Sequence, residues 1–312
     1  MKVLVTGVNG FVGSHMADYL IENDLAEVHG LTRWRSNLEF VNDKVTLHHG
    51  DLRDLNSLIL IMERVKPDCC FHFAAQSYVT TSFTAPADTM ENNILGTLNL
   101  LSAVRHAGIN PKIVIASSSE VYGQVEADEV PIKETNQFRP ASPYAVSKVA
   151  EDMLGLQYYL SYGMRIVRTR LFTHTGPRRG DVFVESAFAK QIAEIEAGKA
   201  EEMYVGNLNS VRTFMDVRDA VRAYWMALDC PNGEVYNIGG DRTMSIREMM
   251  CILKSFSDKK IEHVMCDTLL RPSDVTLQIP DTTKFRDATG WSPRIPLEKT
   301  LEDLLNYQRG RV

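Results

Sequence analysis

Tyr144 and Lys148 stand four residues apart where a helix is predicted to begin, so they share one face. An ammonium beside a phenol stabilises the phenolate, which lowers the phenol from its ordinary pKa near 10. Such a tyrosine is a usable base toward a sugar hydroxyl at neutral pH. Ser117-Ser118-Ser119-Glu120 follows an apolar run, Lys112 to Ala116, that reads as a strand. Ligands gather at the carboxyl ends of parallel strands. A hydroxyl from Ser118 can therefore hold the substrate oxygen that Tyr144 deprotonates, with Ser119 beside it. Glu120 adds a carboxylate. Oxidation or reduction at one carbon does not need it, but elimination does, because a proton alpha to a transient ketone must be removed.

A second constellation lies at the N-terminus. Gly7-Val8-Asn9-Gly10-Phe11-Val12-Gly13 spaces glycines as GxxGxxG between a predicted strand and a predicted helix. The glycines permit a tight turn and close approach of the pyrophosphate of a dinucleotide, and the helix N-terminus supplies N–H donors. The next strand ends in Thr32-Arg33-Trp34-Arg35-Ser36. Two guanidinium groups and a hydroxyl there suit a ribose 2′-phosphate, whereas NAD would call for an acid, so NADP is expected over NAD. Asp51, with Leu52 after it, ends the third strand and is placed to accept from the adenine amino group. Ala74-Ala75 end the fourth and are small enough for the dinucleotide to lie against backbone.

The elements that must position these residues alternate. Strands are predicted at 2–6, 27–32, 45–48, 69–74, 112–116 and 165–171. Helices are predicted at 11–23, 55–65, 92–107 and 144–162, with 126–143 a loop. Strands apolar on both faces indicate a parallel sheet covered on both sides, an α/β doubly wound architecture of Rossmann type. Residues 1–170 are read as the dinucleotide-binding domain, with a return segment near 210–235. Residues 171–312 form a smaller substrate lobe, with helices near 185–197 and 246–256.

Composition narrows the classes. The chain has 312 residues, 44% of them hydrophobic, and a net charge of −6 with no long basic run. Nucleic-acid tracking is not expected. No apolar stretch reaches the ~18 residues of a membrane span. The five cysteines match no metal-site spacing, so no metal is expected, and Cys69-Cys70, inside an apolar run, are read as buried free thiols, which suits a cytoplasmic protein.

On these residues the sequence resembles the extended short-chain dehydrogenase/reductases over nearly its whole length. It is most similar to the GDP-mannose 4,6-dehydratases and the related GDP-4-keto-6-deoxymannose reductases. The stretches concerned are Ala74-Ala75-Gln76-Ser77, Ser118-Ser119-Glu120-Val121-Tyr122-Gly123 and Gly176-Pro177-Arg178-Arg179-Gly180. The resemblance implies that Ser77, His174 and Arg179 join the cofactor site, that Arg212 and Arg271 bind the substrate diphosphate, and that the protein is a homodimer or homotetramer. Thr173 stands at a substrate contact where the family usually has asparagine. Residues 183–192 lack the basic pair of many dehydratases. The implied activity is dehydration of a GDP-sugar. The alternatives are a reductase, a 4-epimerase or a 4-oxidase on a related GDP-hexose or GDP-heptose, and, in a different class, a non-catalytic NADP-binding scaffold.

Overall fold

A computed structural model describes residues 1–270 and 275–312. Its main sheet has seven strands, all parallel. Six are β1 (Lys2–Thr6), β2 (Glu27–Thr32), β3 (Thr46–His49), β4 (Cys69–His72), β5 (Lys112–Ala116) and β6 (Ile166–Leu171). The seventh, Val235–Ile238, pairs with β6, and the order runs from it through β6, β5, β4, β1 and β2 to β3. Every residue of β4, β5 and β6 is buried, as expected of strands covered on both faces. One face carries helices Leu55–Val65 and Gly96–His106 together with Tyr158. The other carries Phe11–Glu22 and Val217–Met226.

The helix bearing Tyr144 spans Pro143–Tyr162, and its limits follow from local chemistry. The Ser142 hydroxyl accepts from the Ala145 N–H at 3.1 Å, proline occupies the first turn, and Gly163 closes the helix at φ 63°. Tyr144 thus sits in the first turn and Lys148 one turn later. The helix expected over 92–107 is interrupted: Glu91–Leu95 forms a wider π turn before Gly96–His106. Three residues distant in sequence explain this. Asn93 donates to the Gln76 carbonyl and the Ser147 hydroxyl, and a Cβ on Gly96 would lie 2.9 Å from Leu52 Cβ.

A second core joins helices Val184–Glu196, Ile246–Ser255 and Leu297–Arg309 to strand Met203–Val205. Strand Val211–Asp216 lies between this core and the main sheet, pairing with Arg242–Ser245, Leu277–Gln278 and His174–Thr175. The return segment expected near 210–235 supplies the helix Val217–Met226 and, just beyond, the seventh strand. Phe285 and Trp291 also pack in the first core. The polypeptide therefore passes between the two cores several times, and the cleft between them holds the site.

Candidate active site

The turn after β1 is built for close approach. Gly7 has φ 71°, and a Cβ there would stand 2.9 Å from Ala74 Cα. A Cβ on Gly13 would stand 2.1 Å from the Gly7 carbonyl oxygen. Gly10 caps the helix Phe11–Glu22 with no side chain, leaving the first-turn N–H groups of Phe11, Val12 and Gly13 facing the cleft. Thr6 anchors the neighbouring strand end. Its hydroxyl oxygen accepts from the N–H groups of Phe73 and Ala74, so its proton goes to His72 Nδ1 at 2.9 Å. His72 Nε2–H then donates to Thr97, which donates to the Asn93 carbonyl. Burial holds His72 neutral, its pKa lowered to about 3, as this chain of donors requires. Asn93 in turn donates to Ser147, so the glycine turn and the Tyr144 helix are tied by one buried polar network.

Around the ribose end, Asn9, Arg33, Ser36, Asp51 and Leu52 line the cavity, and no acidic residue ends β2. Asp51 is held by Arg53 at 3.0 Å. Arg35 does not line the cavity. It is exposed at φ 67°, inside a turn that the Ser36 N–H closes on the Arg33 carbonyl, so the reversal that brings Ser36 to the cavity takes Arg35 away from it. Ala74, Ala75 and Ser77 line the opposite wall.

Ser118, Ser119, Glu120, Tyr144 and Lys148 meet in the same cavity, of about 880 Å³. The Ser118 hydroxyl accepts from the Glu120 N–H, and the Glu120 carboxylate accepts from Gln278 Nε2 at 3.1 Å. Lys148 Nζ donates to the Ala116 carbonyl and to Glu151 Oε2, each at 2.9 Å, leaving one of its three donors for a ligand. Burial opposes the Lys148 charge, but Glu151 and Tyr144 outweigh it and hold the ammonium above its usual value. The Tyr144 phenol corrects the expectation drawn from spacing. Burial pushes it up, further than Lys148 and Ser118 pull it back, and Glu151 and Glu120 add to the rise. Glu151 itself is pushed up to about 7 by burial, despite Lys148.

The second lobe contributes Thr173, His174, Arg179 and Arg212. His174 Nδ1–H donates to the Phe172 carbonyl, and burial with Arg179 nearby lowers its pKa to about 4, leaving Nε2 as an acceptor. The Arg179 guanidinium stacks 3.6 Å over Phe183. Arg271 lies outside the described residues. Sequence reading did not find Gln278, Glu151 or Glu185. Gln278 acts through a contact fixed only by the fold; Glu151, three positions after Lys148 on the predicted helix, was legible from spacing and was missed; Glu185 stands where residues 183–192 were already seen to depart from the dehydratases.

A family model described as GDP-mannose 4,6 dehydratase matches residues 4–304. The chain is 32% identical to the GDP-mannose 4,6-dehydratase of Yersinia enterocolitica, covering 97% of this chain and 92% of that protein. It is 34% identical to the GDP-6-deoxy-D-mannose reductase of Pseudomonas aeruginosa, covering 100% and 98%. The solved structure of RMD from Pseudomonas aeruginosa complexed with NADPH superposes with a TM-score of 0.87 at 34% identity, covering 100% of this chain and 99% of that one.

Proposed function

The chain belongs to the GDP-mannose 4,6-dehydratase family, and on that premise we propose that it is an NADP-dependent lyase converting GDP-mannose to GDP-4-keto-6-deoxymannose and water. The observation that carries this is the Glu120 carboxylate, in the same cavity as Tyr144, Lys148 and Ser118. The glycine turn, which a Cβ at Gly7 or Gly13 would fill, fits a dinucleotide, and Arg33 with Ser36 fits a 2′-phosphate. NADP held there would supply a hydride acceptor for C4 and, later in the cycle, the hydride donor for C6. Tyr144 takes the proton of the C4 hydroxyl while Ser118 holds that oxygen. Lys148 stays charged beside Tyr144 through Glu151 and lends its third donor to the ligand. Glu120 removes the C5 proton made acidic by the C4 ketone; the C6 hydroxyl takes up a proton, relayed with the help of Ser119, and leaves as water; a second proton returns to C5 when hydride reaches C6. Gln278 orients the Glu120 carboxylate for this. Thr173 and Arg212 line the substrate side, Arg212 serving the diphosphate.

A second reading, reduction of the 4-keto sugar, is favoured by the Pseudomonas reductase, which matches this chain end to end. One experiment separates the two. With GDP-mannose deuterated at C4 and catalytic NADP, dehydration moves the label to C6 of the same molecule with no lasting rise in reduced nicotinamide. Label retained at C4, or lost to free cofactor, overturns the dehydratase reading.

Self-association as a homodimer or homotetramer is part of this proposal, and Leu95, Val146 and Leu160 are among the exposed apolar side chains such a contact could cover. A cytoplasmic setting is supported by free thiols at Cys69, Cys70 and Cys230, all buried. No helix among the described residues is long and apolar enough to cross a membrane, and they include no group of side chains that could hold a metal ion.

A further inference from the structure

Glu185 opens the helix Val184–Glu196 and lines the cavity shared by Tyr144 and Glu120. It is only 2% exposed, yet its carboxylate accepts no hydrogen bond and forms no ion pair among the described residues. Unlike Arg179 Nε, its oxygens keep some accessible surface, and because the residue lines the cavity, that surface is where a ligand's donors reach it. Arg179 influences it through space but forms no ion pair with it among the described residues. Its guanidinium carbon stands 3.6 Å from the centre of the Phe183 ring, its Nε has no partner, and it feels both Glu185 and Tyr144 through space. One wall of the cavity thus presents an unpaired cation and an unpaired anion side by side, near the catalytic phenol.

We propose that Glu185 binds the sugar ring of the substrate, its two oxygens accepting from two ring hydroxyls, and so selects neutral polyhydroxylated sugars over sugar acids. This rests on the nucleotide-sugar part of the reading above and not on the dehydration step. A carboxylate can accept about four hydrogen bonds and donate none, which matches a pair of hydroxyl donors. A diphosphate would be repelled there, so the sugar and not the nucleotide is the partner. A sugar carrying its own carboxylate would set like charges together in a site of low dielectric.

The test is equilibrium binding to the NADP-loaded protein, comparing GDP, GDP-mannose and GDP-mannuronate for wild type, Glu185→Gln and Glu185→Ala. Loss of charge-assisted hydrogen bonds is expected to weaken GDP-mannose about 10- to 100-fold in Glu185→Ala, with GDP changed less than about two-fold. Glu185→Gln, which keeps the shape, is expected to bind GDP-mannuronate more tightly than wild type does. NADP affinity serves as the folding control, and Glu185→Gln carries the test if the alanine variant fails it. Equal loss of GDP and GDP-mannose, or unchanged GDP-mannose affinity, overturns the proposal. Wild type that binds GDP but not GDP-mannose overturns it together with the nucleotide-sugar reading. Label that stays at C4 while GDP-mannose affinity still depends on Glu185 overturns dehydration alone.

Discussion

Replacing Glu151 with glutamine should shift the pH–activity profile toward acid on both limbs. The substitution keeps an acceptor for Lys148 Nζ, now 2.9 Å from Glu151 Oε2, and removes one buried negative charge. That charge disfavours the Tyr144 phenolate and favours the Lys148 ammonium, so it holds both groups up. Tyr144 and Glu151 are seven positions apart on one helix, two turns and roughly 10 Å of rise. A unit charge at ~10 Å across an effective dielectric of about 20 contributes roughly 1.7 kcal/mol, or about one pH unit. Activity that rises as Tyr144 loses its proton should therefore rise about one unit earlier. The fall at high pH, as Lys148 loses its charge, should also come earlier. The groups around Glu151 set the background: Lys148, Tyr144 and Asp152 on its own helix, Arg168 and Arg170 of β6 engaged with Asp152, His72 of β4 held neutral, and Glu120 after β5. Below about pH 7 the wild-type Glu151 is largely protonated, so the two proteins should converge there and separate above it. The assay is kcat/KM for GDP-mannose from pH 6 to 10, with NADP affinity and melting temperature measured alongside. A purely structural Glu151 would alter melting and leave the limbs in place. Unchanged limbs, or a move toward alkali, would refute the reasoning.

NADP should bind stripped protein more tightly than NAD, and Arg33→Ala should weaken NADP about 10- to 100-fold with little effect on NAD, by titration of both. A clear NAD preference in the wild type sinks that assignment. Glu120→Gln should lower turnover by at least the ~10²-fold typical of general acid–base groups while leaving NADP binding intact, since the glutamine oxygen can still accept from Gln278. A variant with near wild-type turnover removes Glu120 from the mechanism.

What could be read from the sequence is what local chemistry decides. Ser142-Pro143 and Gly163 mark both ends of the Tyr144 helix, and the apolar strands announce a sheet covered on both faces. The glycine turn is legible because only glycine tolerates the contacts at Gly7 and Gly13. Three features were out of reach because they depend on distant partners. The π turn at Glu91–Leu95 answers to Gln76, Ser147 and Leu52, none of them its neighbours in sequence. Gln278 reaches Glu120 across 158 positions. The Tyr144 phenol rises where spacing argued for a fall, because depth of burial is not written in a four-residue spacing.

The seventh strand has a consequence for how the protein is made. β6 ends at Leu171, and its sheet partner ends 67 residues later at Ile238. On a ribosome adding roughly 5–20 residues per second, that interval lasts about 3 to 13 s. Through it the nascent chain holds Ile166–Leu171 as an open edge, six residues destined for burial with one row of backbone donors and acceptors unmatched. Residues 1–170 released alone would keep that edge indefinitely and should associate through it. The dinucleotide-binding half is therefore expected not to fold as a detachable module, because the strand that completes its sheet follows the segment that also walls the substrate side.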